Sequence, residues 1–406
     1  MANPVAYGRI PYKGVVILDN FTFQSPTKII FGKDTEHQVG NEVRAHGSKV
    51  LLHYGGGSIK KTGLYDRVVQ SLRGAGVKFI ELAGVQPNPR LSLVHEGIEL
   101  CRKENVDLIL AVGGGSTIDS AKAIALGVPY DGNVWDFFEG KADADKALPV
   151  GVVLTLPAAG SEASDSCVIT NEEGWLKRGY GNQLNRPVFA IMNPELTYTL
   201  PPYQTACGAA DIMAHIMERY FTNTRDVDFT DLLSEATLKT IIKHVPIVLE
   251  DPENYESRAQ IMWAGTIAHN DLLSTGRVGD WASHQIEHEL SGIYDVAHGA
   301  GLAVVFPAWM KYVYHHDIPR FTQFAVRVWN VEQDFFNPGK TALDGILHLE
   351  SFFRSIGLPV RLDELGVPSD RLEEMANKTK TGNDGKVGNF VKLTHADVLK
   401  ILELAK

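Results

Sequence analysis

The sequence predicts an α/β fold for its first half and an all-α fold for its second half. Up to about residue 195, short β-branched runs alternate with helical patterns, which is typical of a mostly parallel sheet covered by helices. After the Asn-Pro and Pro-Pro pairs that begin at 193 and 201, apolar residues recur at helical spacing. No repeat, low-complexity tract or flexible linker separates the halves. We therefore predict two domains, 1–195 and 196–406, that share a cleft.

Composition and charge exclude several classes of protein. The 406 residues, of which 44% are hydrophobic, are enough for two cores. The net charge of −10 comes from 39 basic and 49 acidic residues that do not form runs, so we expect no nucleic-acid partner. The most apolar stretch, 148–159, contains prolines and is shorter than the roughly 20 residues that cross a membrane. We expect no membrane partner either.

Cysteine usage and the N-terminus indicate the compartment. Cys101, Cys167 and Cys207 form neither a CxxC pair nor an even framework, which favours a reducing environment. The opening MANPVAYGRIPYKGVV lacks a basic flank followed by an apolar core, so it does not read as a secretory signal. We expect a cytoplasmic protein.

The predicted strands of the first half are short and rich in β-branched residues. Helical patterns at 60–73 and 91–104 lie between some of them, so the half should be a doubly wound α/β domain. The strands are predicted at 28–31, 49–54, 77–82, 107–112, 150–156 and 188–192.

A first glycine turn follows the strand 49–54 and consists of Gly55, Gly56, Gly57 and Ser58. Sites that prefer NAD commonly place an acid near such a strand end, where it accepts from the ribose 2′-OH. None stands here, and Lys60 and Lys61 follow. The turn therefore predicts room and positive charge for the 2′-phosphate of NADP(H). An ordinary glycine turn is the alternative.

A second glycine turn joins the strand 107–112 to a helix and consists of Gly113, Gly114, Gly115 and Ser116. Glycines let the backbone approach a pyrophosphate, and the helix N-terminus offers free N–H donors and a positive dipole end. The turn predicts a Rossmann-like, dinucleotide-binding domain. Ser116 and Asp119 also fit a capping box, which is the structural alternative.

The second half carries helical patterns at 211–220, 231–242, 258–268 and 282–290. Two of them hold possible metal ligands. Asp211 and His215 are four residues apart and so share one helix face, and His284 and His288 repeat that spacing. We expect Ser291-Gly292 to break the last helix, so that His298 arrives after a loop.

One carboxylate and three imidazoles can enclose a divalent cation such as Fe²⁺, Zn²⁺ or Mn²⁺. With an open coordination position, such an ion acts as a Lewis acid on a carbonyl or alkoxide oxygen. Taken singly, each histidine is more commonly a surface or core residue. The segment HQIEH is not the HExxH motif of zinc proteases, because Gln285 stands where that motif has its general base.

From about Phe21 onward the chain resembles the iron-containing (group III) alcohol dehydrogenases, in particular their NADP-dependent butanol dehydrogenase and aldehyde reductase branch. The resemblance implies a dehydroquinate-synthase type nucleotide domain, a helical metal-binding domain and a homodimer. It also implies that His288 is an unligated histidine beside the metal. The implied metal ligands are Asp211, His215, His284 and His298. The implied cofactor residues are Gly113, Gly114, Gly115, Ser116 and Asp119, then Thr155, Leu156 and Ser161 in TLPAAGSE, and Lys177, Tyr198 and Leu200.

Together these features predict an enzyme that interconverts primary alcohols, such as butanol, and aldehydes by hydride transfer with NADP(H). We expect Fe²⁺, with Zn²⁺ as the other candidate metal, and His288 as a proton relay. One alternative is a metal-dependent lyase or cyclase of the dehydroquinate-synthase type, or an enzyme like glycerol dehydrogenase. A non-catalytic binder is another. Trp263, His269 and Trp281 could line the substrate pocket, although a place in the core is favoured for them.

Overall fold

A computed structural model describes residues 18–406, so the N-terminal stretch 1–16 that was assessed as a possible secretory signal lies outside the described residues. A six-stranded, all-parallel sheet forms the centre of the first half, in the order β1-β8-β5-β4-β2-β3. An antiparallel hairpin of two further strands, β6 and β7, stands apart from it. The strands are β1 (Lys28–Phe31), β2 (Lys49–Tyr54), β3 (Lys78–Leu82), β4 (Leu108–Gly114), β5 (Val150–Leu156), β6 (Ser166–Asn171), β7 (Leu176–Gly181) and β8 (Phe189–Met192).

Helices cover this sheet, and their arrangement explains the strand composition. The central strands β2, β4, β5 and β8 are buried along most of their length, because strands covered on both faces must be apolar throughout. The chain proceeds from β2 to β3 in one direction and from β4 to β5 in the other, so a crevice opens between β2 and β4 at their carboxyl ends. The helices are α1 (Val39–Arg44), α2 (Ser58–Lys61), α3 (Leu64–Gly74), α4 (Leu91–Glu104), α5 (Gly115–Gly127) and α6 (Trp135–Phe138).

The six predicted strands are confirmed, but two local features of this half differ from the prediction. The helix expected at 60–73 is divided into α2 and α3 at Gly63, whose φ of 72° lies in the left-handed region. The β6–β7 hairpin was not predicted, since Ser166–Asn171 and Leu176–Gly181 mix polar and apolar residues and are half-buried at many positions. A weakly alternating, polar strand gives little periodic signal.

The second half is helical, as predicted, and one cluster of buried apolar side chains runs through it. None of the helices in residues 18–406 is long and apolar enough to span a membrane. The helices are α7 (Pro202–Tyr220), α8 (Asp228–Glu250), α9 (Tyr255–His269), α10 (Ala282–Tyr294), α11 (His298–Val313), α12 (Ile318–Trp329), α13 (Pro338–Ser355), α14 (Leu372–Lys378) and α15 (His395–Leu404).

The expected break at Ser291-Gly292 is wrong, because α10 continues through both residues to Tyr294. Gly292 serves close packing instead: a Cβ there would lie 2.8 Å from the backbone oxygen of Trp175 in the hairpin connection. His298 does follow a loop, as predicted, but this loop is residues 295–297, and His298 is the first residue of α11.

Polar contacts join the two halves beside the cleft. Arg90 and Asn88, which precede α4, both reach the carboxylate of Asp295 in the α10–α11 connection, each at 2.9 Å. In the hairpin, Arg178 donates to the buried carboxylate of Glu289 on α10 at 2.7 Å. These contacts, which we call the interdomain joint, fix how the helical half sits over the carboxyl edge of the sheet.

Candidate functional site

A cavity of about 1100 Å³ lies between the carboxyl edge of the sheet and the helical half. Both glycine turns contribute to its wall, and so do the helices that carry the predicted metal ligands. Of the predicted site residues, only Gly56 and Gly57 are not part of the lining. Those that line it are Gly55, Ser58, Gly113, Gly114, Gly115, Ser116, Asp119, Thr155, Leu156, Ser161, Lys177, Tyr198, Leu200, Asp211, His215, His284, His288 and His298.

The second glycine turn forms the strand-to-helix connection that its sequence predicts. Strand β4 runs on to Gly114, and α5 begins at Gly115 with no side chain capping its first turn. A Cβ at Gly113 would lie 2.4 Å from the Thr117 hydroxyl oxygen, and one at Gly114 would lie 3.0 Å from Leu156 Cβ. Glycine is therefore required for packing. The residues of the first turn of α5 line the cavity, and the free N–H groups of such a turn suit an anion.

The capping box that was the alternative interpretation of Ser116 and Asp119 does not form. The Asp119 carboxylate instead accepts from Ser161 Oγ at 2.6 Å and from the backbone N–H of Val168 at 3.0 Å. Burial raises the pKa of Asp119, and it lowers the pKa of Lys122, whose ammonium donates to Ser161 Oγ at 3.0 Å. Asp119 and Ser161 thus border the cavity while bonded to each other.

The first glycine turn presents no acid to the cavity. Among the residues of segment 55–88 that line it, Ser58, Thr62, Arg67, Gln86 and Asn88 are polar, and none is a carboxylate. The nearby carboxylate of Glu81 accepts from two tyrosine hydroxyls, each at 2.6 Å, and lies 3.7 Å from Lys60 Nζ. Arg67, not Lys60, is therefore the cation of this segment that lines the cavity.

The metal-ligand candidates meet at the opposite end of the cavity. Donor atoms of Asp211, His284 and His298 all lie within 4.8 Å of one another. Asp211 Oδ1 is 3.9 Å from His284 Nε2 and 3.8 Å from His298 Nε2. His215 stands one turn after Asp211 on α7, with its ring centroid 4.6 Å from that of His284.

Each of the three imidazoles is anchored through its Nδ1 atom. His215 Nδ1 bonds the backbone oxygen of Asp211 at 2.9 Å, and His284 Nδ1 bonds Glu218 Oε1 at 2.8 Å. His298 Nδ1 bonds Glu287 Oε2. Partners of this kind fix the orientation of ligating histidines, so the Nε2 atoms of His284 and His298 remain available to one ion. His215 is not part of the group of donors within 4.8 Å of one another, although it lies beside that group.

The residues fit a divalent cation, and one orphaned atom supports this. His284 Nε2 is buried and has no hydrogen-bond partner among the described residues, which is rare for buried polar atoms. Asp211 Oδ1, in contrast, lies 3.0 Å from His215 Nδ1. Burial alone would raise the pKa of Asp211, but the neighbouring imidazoles hold it well below its usual range. Burial also holds the pKa of His284 well below its usual value. An ionised carboxylate and a neutral imidazole are the forms that coordinate metal.

A second group of possible donors, Glu287, His288 and His298, is also within 4.8 Å. It is a poor cation site, because the Lys177 ammonium lies 3.3 Å from His298 Nδ1 and 3.6 Å from Glu287 Oε2. A positive charge is already present there. His288 lines the cavity with its ring centroid 5.7 Å from that of His298, and burial lowers its pKa well below the usual value.

Sequence reasoning missed several residues of the site. Glu218 and Glu287 were not predicted to anchor histidines, although each follows a candidate ligand on its own helix by three residues. That spacing places each glutamate on the helix face that carries a candidate ligand, but it does not indicate which histidine the glutamate bonds. His269 and Trp281 line the cavity, so the core position favoured for them is wrong. Trp263 is exposed on α9, where its ring packs on Phe31.

Comparison with known proteins gives matches along nearly the whole chain. The family model "Iron-containing alcohol dehydrogenase" matches residues 26–194, and "Fe-containing alcohol dehydrogenase family, C-terminal" matches residues 205–406. The chain is 46% identical over 386 residues to the probable NADH-dependent butanol dehydrogenase 2 of Bacillus subtilis, covering 95% of this chain and 99% of that protein. It is 35% identical over 392 residues to the NADPH-dependent aldehyde reductase YqhD of Escherichia coli, covering 96% and 100%.

A solved structure agrees with these matches. The crystal structure of the NADH-dependent butanol dehydrogenase A of Thermotoga maritima superposes with a TM-score of 0.93 at 42% identity, over 96% of this chain and 99% of that chain. The family resemblance and the fold class predicted from the sequence are both confirmed. The chain belongs to the iron-containing alcohol dehydrogenase family.

Proposed function

We propose that the protein is a metal-dependent, NADP(H)-linked alcohol dehydrogenase and aldehyde reductase that acts on small primary alcohols and aldehydes, such as butanol and butanal. The observation that supports this most directly is the single cavity lined by an anion-binding helix N-terminus and by a metal donor set. Hydride transfer requires a nicotinamide and a polarised oxygen in one enclosed space. Membership of the family is consistent with alcohol and aldehyde oxidoreduction.

Asp211, His215, His284 and His298 would hold the ion, for which we propose Fe²⁺, with Zn²⁺ as the alternative. A bound divalent cation supplies Lewis-acid polarisation of the substrate oxygen. The chain contributes the orientation of the donors, because Glu218 and Glu287 fix two of the rings through their Nδ1 atoms.

We propose that His288 relays a proton to the product oxygen when an aldehyde is reduced. It borders the cavity one turn after His284, and no protein hydrogen bond engages its imidazole among the described residues. Its lowered pKa keeps the half-buried ring neutral, and a neutral imidazole can donate a proton from one ring nitrogen while the other accepts a proton from a water or a bound molecule.

The preference for NADP(H) rests on the first glycine turn. The relatives differ in their cofactor, since the Bacillus subtilis protein is named NADH-dependent and the Escherichia coli protein is named NADPH-dependent. At the end of β2 the cavity wall offers Ser58, Thr62 and Arg67 and no carboxylate. Hydroxyl and guanidinium donors favour a 2′-phosphate, whereas a carboxylate would repel it.

A spectrophotometric assay at about 340 nm, the nicotinamide band, tests the proposal. Metal-stripped protein is given butanal with NADPH or NADH, before and after Fe²⁺ or Zn²⁺ is added back. We expect metal-dependent oxidation of NADPH that exceeds that of NADH. No oxidation with either metal would favour a lyase or cyclase that recycles its nucleotide, and a preference for NADH would contradict the interpretation of the first glycine turn.

We also propose a homodimer. Strand β1 lies at the edge of the sheet, so one side of its backbone pairs with no strand of the described chain. Phe31 on this strand and Trp263 form an aromatic pair with 38% and 44% of their surfaces exposed. Light scattering in solution would distinguish a dimer from a monomer.

A further inference from the structure

Glu287 is a fully buried carboxylate on α10 that bonds two groups of the helical half. Its Oε2 atom accepts from His298 Nδ1, and its Oε1 atom accepts from Ser291 Oγ, one turn later on the same helix. Its side chain has no exposed surface. The carboxylate is packed against α11 as well, since a Cβ on Gly301 would lie 2.6 Å from Oε1.

The same carboxylate meets a lysine from the other domain. Lys177, on β7 of the hairpin, places its ammonium 3.6 Å from Glu287 Oε2 and 3.3 Å from His298 Nδ1. Lys177 is 4% exposed and lines the cavity. One buried carboxylate therefore lies between an imidazole of the candidate metal site and an ammonium of the nucleotide half.

We propose that Glu287 is a positioning residue that orients His298 toward the metal and Lys177 toward the cofactor, so that both affinities depend on it. This inference rests on the proposed function. Without Glu287, His298 loses the bond that fixes its ring plane. Lys177 at the same time becomes a buried ammonium with no carboxylate beside it, and its position is no longer determined.

The chain offers a matched control in Glu289, two residues later on the same helix. It too is a fully buried carboxylate, and it pairs with a hairpin cation, Arg178, at 2.7 Å. It contacts no candidate metal ligand. Substituting either glutamate removes a buried ion pair between α10 and the hairpin, so a purely structural role would affect both variants alike.

Zinc binding tests the first half of the proposal. The affinity of metal-stripped protein for Zn²⁺ is measured by competition with a chromophoric chelator, for wild type, Glu287→Ala, Glu287→Gln and Glu289→Gln. We expect Glu287→Ala to bind Zn²⁺ about 10- to 100-fold more weakly. Glu287→Gln should lose less Zn²⁺ affinity, because the amide oxygen still accepts a hydrogen bond from His298. Glu289→Gln should bind Zn²⁺ with the affinity of wild type.

Nucleotide binding tests the second half. NADPH is titrated into the same metal-free proteins, with fluorescence as the readout, and Lys177→Met is added as a reference. We expect both Glu287 variants and Lys177→Met to bind NADPH more weakly than Glu289→Gln does. Lys177→Met should nevertheless keep the Zn²⁺ affinity of wild type, because it leaves the bond between Glu287 and His298 in place.

The outcomes separate this inference from the proposed function. Wild type that binds neither Zn²⁺ nor NADPH would overturn both. Wild type that binds both, with Glu287→Ala and Glu287→Gln indistinguishable from Glu289→Gln, would overturn the role of Glu287 alone. Glu287→Gln keeps the side-chain volume, so the test remains decisive if Glu287→Ala does not fold.

Discussion

His288 is the residue through which the proposed proton transfer is most directly tested. Replacing it by alanine removes the free imidazole beside His284 and His298 and leaves every anchored Nδ1 atom in place. We expect His288→Ala to lower kcat for butanal reduction by about 10²- to 10⁴-fold, as for loss of a general acid, and to alter the pH–rate profile. Zn²⁺ affinity should be unchanged, and exposed His37→Ala is the control. An unaltered pH–rate profile would exclude the role.

Gly56 allows the cofactor preference to be changed at one position. Nothing lies within 4 Å of a Cβ built there, and its φ is not in the left-handed region, unlike that of Gly57. Gly56→Asp should place a carboxylate near the 2′-phosphate and lower kcat/KM with NADPH relative to NADH. Gly56→Asn has the same shape without the charge, so we expect it to shift the ratio far less. Equal shifts in the two variants would mean that charge is not the cause.

For single residues, the sequence predicted the candidate metal ligands but not the hydrogen bonds that orient their side chains. Asp211, His215 and His284 could be predicted because spacing of four on a helix places side chains on one face, whatever else surrounds them. The bonds of Glu218 to His284 and of Glu287 to His298 join separate helices, or a helix and its neighbour, and depend on packing angles that no local pattern encodes. The bond between Asp119 and Ser161 could not be predicted for the same reason, because the two residues are distant in sequence.

Among the elements, the contact of α11 with α7 controls where His298 sits. A Cβ on Gly299, the second residue of α11, would lie 1.9 Å from the backbone oxygen of Cys207 on α7. We expect Gly299→Ala to separate the helices, lower the free energy of unfolding by about 1–3 kcal/mol and weaken Zn²⁺ binding. Gly74→Ala, where a Cβ meets nothing within 4 Å, is the control. Urea unfolding and metal content would measure both effects.

Strand β2 of the α/β half contains a buried histidine, and protonation of this histidine should destabilise the fold. His53 on β2 bonds the backbone oxygen of Leu82 and the hydroxyl of Ser120, each at 2.9 Å, and burial lowers its pKa from 6.5 to about 4. Below pH 6.5 the unfolded chain takes up the proton first, so the stability that neutral His53 contributes is present above pH 6.5 and is lost as the pH falls toward 4.

The replacement His53→Gln isolates this contribution. We expect the difference in unfolding free energy between wild type and His53→Gln to favour wild type at pH 7 and to shrink steadily between pH 6.5 and pH 4. Urea unfolding at several pH values measures it. A difference that stays constant over this range would show that His53 does not titrate in the folded protein as its burial indicates.

At the scale of elements, the sheet strands and the long helices could be predicted because each buries a periodic apolar pattern. The β6–β7 hairpin could not, although it carries Lys177, since its strands are half-polar and pair with each other rather than with the main sheet, apart from one bridge between Thr170 and Arg90. The continuation of α10 past Gly292 was also missed. That glycine is needed for contact with Trp175 and not for ending a helix, and a sequence alone does not distinguish the two uses.

For the whole molecule, the proposed ion should act as a cross-link within the helical half. Its donors come from α7, α10 and α11, and a ligand that binds only the folded state stabilises it. We expect a chelator to lower the unfolding temperature of wild type loaded with Zn²⁺ and to leave that of Asp211→Asn unchanged. Scanning calorimetry measures this, with Asp66→Asn, an exposed carboxylate on α3, as the control. A chelator effect that persists in Asp211→Asn would place the ion elsewhere.

The two candidate binding sites lie in different halves of the molecule, so a variant can lose activity without a change at either site. The candidate metal donors all lie in the helical half and both glycine turns lie in the α/β half, so in the proposed reaction the separation between hydride donor and acceptor would depend on the angle at the interdomain joint. A displacement of ~1 Å can slow such a reaction about 100-fold. Arg90 and Asp295 touch neither ligand site directly, yet a variant there would lose turnover while binding metal and nucleotide normally. Activity should therefore depend on the relative placement of the two halves as much as on the residues that contact the ligands.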